Sequence, residues 1–237
     1  MSWISSNGLF ALGLRRSVDL IYPLLYYPIG LLAIFTHSFR VEGRRNVPST
    51  GPVLLIGNHQ SYLDIVMMSL ACPRRLHFLA KMPLFGNRIL AAIMRLFETI
   101  SVDAEGFSRA GLEGILQKLK KGQTVLIYPE GERTWDDELA PLKPGVSLLV
   151  RKARCPIVPV GIAGAFAAWP RTRPFMRFAP PFLNWSKGRI AVSIGRPIDG
   201  AELAELDREE MLAVLDKELR AVMANARKLG GDRSYRG

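Results

Sequence analysis

Residues 50–70 read TGPVLLIGNHQSYLDIVMMSL, and their order predicts a strand, a polar elbow and a helix. Val53 to Ile56 is a compact apolar run set off by Thr50-Gly51-Pro52, as expected of a buried strand. Leu63 to Leu70 follows and suits a helix. A fully apolar strand running into a helix is the start of a β–α unit, whose natural home is a parallel sheet covered on both faces.

The same alternation extends through the chain. Leu76 to Ala80, Thr99 to Val102, Thr124 to Tyr128 and Ile157 to Ile162 read as further strands. Helices are predicted over Asn87 to Phe97, Arg109 to Lys121 (stopped by Gly122) and Val146 to Arg154. The fold class is therefore α/β, with a mainly parallel central sheet flanked by helices. Ala165 to Lys187 reads as irregular, and Arg189 to Ile194 as one more strand. From Ala201 to Leu229, apolar residues from Leu203 through Leu215, Leu219 and Val222 recur at helical spacing, predicting one long helix with Asp199 as its cap.

The amino-terminal run from Leu20 to Phe35, LIYPLLYYPIGLLAIF, is uncharged but interrupted by Pro23, Pro28 and Gly30. It is slightly short for an untilted span of about 20 residues. The reading is a kinked helical hairpin dipping into one leaflet, tyrosines at the interface and arginines on the headgroups; packing on the protein's own core is the alternative. The expected organisation is 1–37 as a membrane-associating helical segment, 38–229 as the catalytic domain and 230–237 as a frayed tail.

The 237 residues carry 32 Lys and Arg against 21 acidic residues, a net charge of +11. That balance suits an anionic partner, whether a lipid surface, nucleic acid or an acidic carrier. Cys72 and Cys155 are far apart and each precedes proline, so they read as buried thiols of a reducing cytoplasm. Neither dinucleotide nor Walker loops are present, and the histidines His37, His59 and His77 are too scattered for a metal site. His37 reads as interfacial and His77 as a strand residue.

Chemistry concentrates where strands end. His59 can accept a proton near neutrality, and Asp64, five residues on, can hold its other ring nitrogen. After the strand ending at Tyr128 comes Pro129-Glu130-Gly131-Glu132-Arg133-Thr134. Gly131 permits a tight turn, Arg133 offers a planar fork for phosphate, and Glu130 can receive a hydroxyl or fix the arginine. Val158-Pro159-Val160-Gly161 adds an apolar element to the same edge.

Asn58-His59 through Asp64 matches NHxxxxD, and Pro129-Glu130-Gly131 with Arg133 matches PEGxR. On these blocks, with Val158-Pro159-Val160 and Lys81 after its strand, residues 38–195 resemble the glycerolipid acyltransferases typified by the lysophosphatidic acid acyltransferases. The resemblance implies a glycerol-phosphate acyltransferase-like fold and direct transfer from acyl-CoA or acyl carrier protein to the hydroxyl of lysophosphatidic acid. Those thioesters are co-substrates, and no cofactor is implied. His59 would be the general base and Asp64 its orienter. Arg133 and Lys81 would hold the phosphate, Glu130 and Gly131 line the acceptor site, and Pro159 lie near the acyl chain. Oxyanion donors would be backbone N–H groups just after His59. The implied location is the cytoplasmic face of a membrane, with membrane lipids and the acyl carrier as partners.

Two departures bear on the acceptor. Asp103 is followed by Ala104 where the family carries arginine, leaving Arg95 or Arg109 as replacements, and Glu132 stands where threonine is usual. Another lyso-lipid acceptor, or a non-catalytic lipid-binding relative, is the alternative reading. Ser61 as a hydrolase nucleophile lacks a G-x-S-x-G elbow and reads instead as a helix cap. Arg171, Arg173, Arg177 and Arg189 among Phe175, Phe178 and Trp185 allow single-strand nucleic-acid binding. Beside an apolar amino terminus, they read instead as a membrane surface.

Overall fold

The computed structural model describes residues 27–81, 100–102, 109–182 and 188–231. Seven strands form one sheet: β1 (Arg40–Glu42), β2 (Val53–Gly57), β3 (Leu76–Lys81), β4 (Ile100–Val102), β5 (Thr124–Ile127), β6 (Ile157–Ala163) and β7 (Ala191–Ile194). Their order across the sheet is β1-β7-β6-β2-β5-β3-β4. Every neighbouring pair is parallel except β6–β7. The α/β class with a mainly parallel sheet is the observed one.

Helices α1 (Leu63–Ala71), α2 (Arg109–Lys120), α3 (Gly145–Ala153), α4 (Ala165–Ala168), α5 (Gly200–Glu205) and α6 (Arg208–Gly230) cover the sheet. Because side chains alternate along a strand, β2 feeds two cores. Val53 and Leu55 pack with Met67, Met68 and Leu70 of α1. Leu54 and Ile56 pack on the opposite face with α2, α3 and the α6 residues Met211, Leu215, Leu219 and Met223. Burying each such side chain is worth about 1.5–3 kcal/mol, so the central strands are the most firmly held part of the sheet. The approach of α6 to β6 requires glycine: a Cβ on Gly161 would lie 2.3 Å from the Val222 carbonyl carbon.

The expected long carboxy-terminal helix is present as α6, but the stretch from Ala201 is two helices rather than one. Leu206 is extended, and Asp207 Oδ1 accepts the Glu210 N–H at 2.8 Å, restarting the helix as α6. The apolar period runs across the break, but Asp207 followed by Glu209 and Glu210 is a start signal of its own. Asp199 does cap α5, accepting the Ala201 N–H at 2.7 Å. Within the irregular segment, residues 165–168 form the short α4. Strand β1 was not anticipated: Arg-Val-Glu has no apolar run, and only pairing with β7 makes it a strand.

Residues 27–37 are helical, and the rest of the expected hairpin lies outside the described residues, as do the helix over 87–97 and the tail from 232. Among the described residues no helix is long and apolar enough to cross a membrane. His37 is corrected from interfacial to buried: it is 3% exposed, its Nδ1 lies 2.8 Å from Thr36 Oγ1, and desolvation lowers its pKa.

Candidate active site

Parallel strands deliver their carboxyl ends to one edge, and β2, β5 and β3 deliver theirs side by side. With Ile56 opposite Ile127, the residues that follow, His59 and Glu130, leave the sheet at the same level. Lys81 closes β3 at that edge, paired with Val102.

His59 is held from every side. Its Nδ1 lies 2.7 Å from Asp64 Oδ2, with the histidine 18% and the aspartate 0% exposed. The same Oδ2 accepts the backbone N–H groups of Gln60 (2.6 Å) and Ser61 (2.7 Å). With Nδ1 donating to this carboxylate, Nε2 carries the free lone pair. The Tyr128 ring stacks on the imidazole at 4.0 Å between centroids and 8° between planes. Burial, then the nearby Asp64 and Glu130, raises the Tyr128 pKa well above its usual 10.0, so the phenol is neutral. Tyr128 shares the strand parity of Leu126, on the face where α1 lies; that alternation was the available signal for a contact the sequence reading missed.

The backbone of His59 is gripped by the loop after β5. Its N–H donates to Glu130 Oε1 at 2.7 Å, and its carbonyl accepts the Thr134 N–H at 2.8 Å. Glu130 Oε2 accepts the Ala140 N–H at 3.0 Å, so both carboxylate oxygens serve backbone donors and neither serves Arg133. Burial pushes the Glu130 pKa up to about 7. Gly131 makes the turn possible with φ +76°, a left-handed conformation that favours glycine. Asn58, just ahead of the histidine, completes the β2–β6 ladder: its amide donates to the Ile162 carbonyl at 3.0 Å and accepts the Ile162 N–H at 2.8 Å.

Arg133 lies with its guanidinium carbon 3.7 Å above the centre of the Tyr62 ring. Its Nη1 is buried with no hydrogen-bond partner among the described residues. Glu132 does not neutralise it. Arg171 Nη1 instead lies 3.2 Å from Glu132 Oε2 and donates to the Arg133 carbonyl at 3.1 Å, while its guanidinium covers the Trp135 ring at 3.6 Å.

His59, Asp64, Glu130, Gly131 and Arg133 are thus brought together, with Lys81 at the same sheet edge. Pro159 is not: it sits inside β6 opposite Ile56, and its Cγ and Val222 Cγ1 flank Gly195 beneath α6. Of the two replacement arginines, Arg109 is exposed and pairs with Glu113 at 3.0 Å, and Arg95 lies outside the described residues. Of the backbone N–H groups near the start of the helix after His59, where oxyanion donors were expected, those of Gln60 and Ser61 are bonded to Asp64 and that of Leu63 to Ser61 Oγ. Ser61 is not the cap residue of α1, which is Tyr62; its Oγ accepts the Leu63 N–H at 3.2 Å and donates to the Trp169 carbonyl at 2.8 Å.

Comparison with known proteins points to acyltransferases. The chain is 25% identical over 181 residues to the 1-acyl-sn-glycerol-3-phosphate acyltransferase of Bacillus subtilis, covering 76% of this chain and 83% of that protein. It is 28% identical over 176 residues to a chloroplast 1-acyl-sn-glycerol-3-phosphate acyltransferase of Arabidopsis thaliana, covering 73% of this chain but only 47% of that one. The crystal structure of the 1-acyl-sn-glycerophosphate acyltransferase from Thermotoga maritima superposes with a TM-score of 0.71 at 24% identity, covering 94% of this chain and 87% of that one, and so shares the fold. The acyltransferase family model matches residues 38–163, a stretch that takes in both the His59–Asp64 elbow and the Glu130–Arg133 loop, and by that match the chain belongs to the acyltransferase family.

Proposed function

We propose that this enzyme transfers a fatty acyl group from an acyl-CoA or acyl carrier protein thioester to the free hydroxyl of lysophosphatidic acid, giving phosphatidic acid. The observation that carries the reading is the His59–Asp64 pair, a histidine whose Nδ1 is held at 2.7 Å by a fully buried aspartate. His59 Nε2 takes the hydroxyl proton as the acceptor oxygen attacks the thioester carbonyl. Collapse of the tetrahedral intermediate breaks the carbon–sulfur bond, and the imidazolium returns its proton to the leaving thiolate. Asp64 stabilises the imidazolium between those steps. No covalent acyl-enzyme is involved; the Ser61 hydroxyl, donating to the Trp169 carbonyl, supports that view.

Arg133 binds the acceptor phosphate. Its unpartnered Nη1 and its seat on Tyr62 support this role, because stacking fixes the plane of the guanidinium while leaving donors free. Gly131 lets the loop backbone approach the headgroup, and Lys81 adds charge at the same edge. Glu130 acts as a positioning residue through the His59 backbone. The names of the relatives favour 1-acyl-sn-glycerol-3-phosphate as acceptor. The reaction takes place at a membrane, on its cytoplasmic face, where the acceptor resides and soluble thioesters can reach it.

Solubilised enzyme and its His59→Ala variant, incubated with palmitoyl-CoA and lysophosphatidic acid, provide the test. Phosphatidic acid formed by wild type and lost in the variant is the expected result by mass spectrometry. Thiol release without an acylated lipid would make the protein a thioesterase and end this mechanism.

A further inference from the structure

Apart from Arg171, the basic–aromatic segment after α4 is not used by the reaction. Residues 170–182 read PRTRPFMRFAPPF, with three arginines and no acidic residue. Phe175 is 79%, Phe182 76% and Phe178 50% exposed, large apolar side chains turned to water within a single loop. The loop is nonetheless fixed in place. The Ala179 N–H donates to the Thr36 carbonyl at 2.6 Å, Ser38 Oγ donates to the Ala179 carbonyl at 2.6 Å, and the Phe178 ring lies 5.7 Å from that of His37.

Those bonds tie the loop to the end of helix 27–37, whose Tyr27, Leu31, Leu32 and Phe35 are themselves more than half exposed. Isolated apolar residues on a surface are ordinary; a joined set from two elements marks an interaction face. The charges choose the partner. Burial, then the charge of nearby Arg177, lowers the Arg173 pKa, and Arg173 Nη2 donates to the Ala167 carbonyl at 2.8 Å; the exposed Arg177 side chain has no hydrogen bond or ion pair among the described residues. Phenylalanines projecting beside unneutralised arginines match the boundary between acyl chains and anionic headgroups. Exposed leucines on the adjoining helix do not suit a nucleic acid.

We propose that residues 170–182 form a second bilayer-contacting element beside helix 27–37, and that the two together seat the mouth of the site on an anionic leaflet. Phe175, Phe178 and Phe182 enter the acyl-chain boundary, and Arg173 and Arg177 bind lipid phosphates above it. The chain path then leads into the site: Arg171 of the same loop ion-pairs with Glu132 at 3.2 Å and bonds the Arg133 carbonyl. Trp135 and Tyr62, exposed at 63% and 52%, stand at headgroup level around Arg133. This rests on the reading that the acceptor is a membrane lipid, which the turnover assay tests separately.

Cys72 and Cys155 are buried with thiol pKa values pushed up to about 11, so a cysteine introduced as Phe178→Cys can be labelled selectively with an environment-sensitive dye. The full chain, also carrying His59→Ala so that no turnover intervenes, is mixed with phosphatidylcholine vesicles with and without phosphatidylglycerol. A blue shift on the phosphatidylglycerol vesicles, quenched by nitroxide on the lipid acyl chains, is expected. A dye unaffected by vesicles would overturn the proposal. So would a dye already blue-shifted without them, because the loop would then be covered by protein. An equal response on phosphatidylcholine alone would overturn the part given to the arginines. As a second measurement, the triple variant Phe175→Ser/Phe178→Ser/Phe182→Ser should melt at the wild-type temperature yet lose about tenfold or more in vesicle affinity; unchanged affinity would also overturn the proposal.

Discussion

Glu130 Oε1 accepts the backbone N–H of His59 at 2.7 Å, joining two sequence blocks 71 residues apart through the peptide of the histidine rather than its ring. The carboxylate that performs this is 2% exposed, and burial raises its pKa from 4.5 to about 7.

A pH dependence follows from that group. The folded protein holds a proton on Glu130 up to about pH 7, whereas the unfolded chain releases it near 4.5, so the contribution of Glu130 to stability falls as pH rises between those values. The full span corresponds to about 3 kcal/mol. Glu130→Gln cannot titrate, so between pH 5 and 8 the melting temperature of wild type should fall relative to that of the variant as pH rises. Parallel curves would remove Glu130 as the source.

Asp64→Asn keeps the shape of the side chain but removes the charge that holds His59. Turnover should fall by about a thousand- to ten-thousand-fold, because an amide no longer fixes the productive tautomer. The same Oδ2 accepts the Gln60 and Ser61 N–H groups, so a stability loss of about 1–3 kcal/mol should accompany it. Denaturant melts alongside kcat measurements separate the two effects.

Arg133→Ala should raise KM for a phosphate-bearing acceptor by about tenfold or more, with Arg133→Lys recovering little, because lysine lacks the stacked bidentate fork. Tyr62→Ala removes only the platform beneath it and should weaken acceptor binding by about 0.5–2 kcal/mol. An unchanged KM in Arg133→Ala would remove the residue from the phosphate site.

Arg171→Ala releases Glu132 beside Arg133. Acceptor KM should rise in this variant, while Glu132→Ala, which removes the competing charge, should leave it near wild type. In the double variant KM should return toward the wild-type value. A double variant as impaired as Arg171→Ala alone would show that Arg171 acts by some route other than masking Glu132.

Gly161→Ala places a Cβ 2.3 Å from the Val222 carbonyl carbon, a contact with helix backbone that no rotamer change relieves. The expected loss is about 3 kcal/mol or more, read as a lowered midpoint in denaturant or as insoluble protein. A wild-type midpoint would mean that α6 can move off β6.

Some of this was legible in the sequence because it is local. The apolar run at 53–56, the elbow and the following helix fix the β–α unit, and five residues of spacing suffice to bring Asp64 to His59. Gly131 follows from the need for a left-handed residue in a tight turn. Longer-range features were not legible. That His59 meets Tyr128 and Glu130, and that Asn58 meets Ile162, depends on β2 lying between β5 and β6. Apolar periodicity says that strands are buried, but strands with nearly identical patterns can be exchanged without changing it. Likewise the pairing of Glu132 with Arg171, 39 residues away, and the turning of Pro159 toward α6 are decided by packing. The sequence by itself determined the chemistry available at each strand end. The order of the strands, a property of the whole sheet, decided which of those ends share a site.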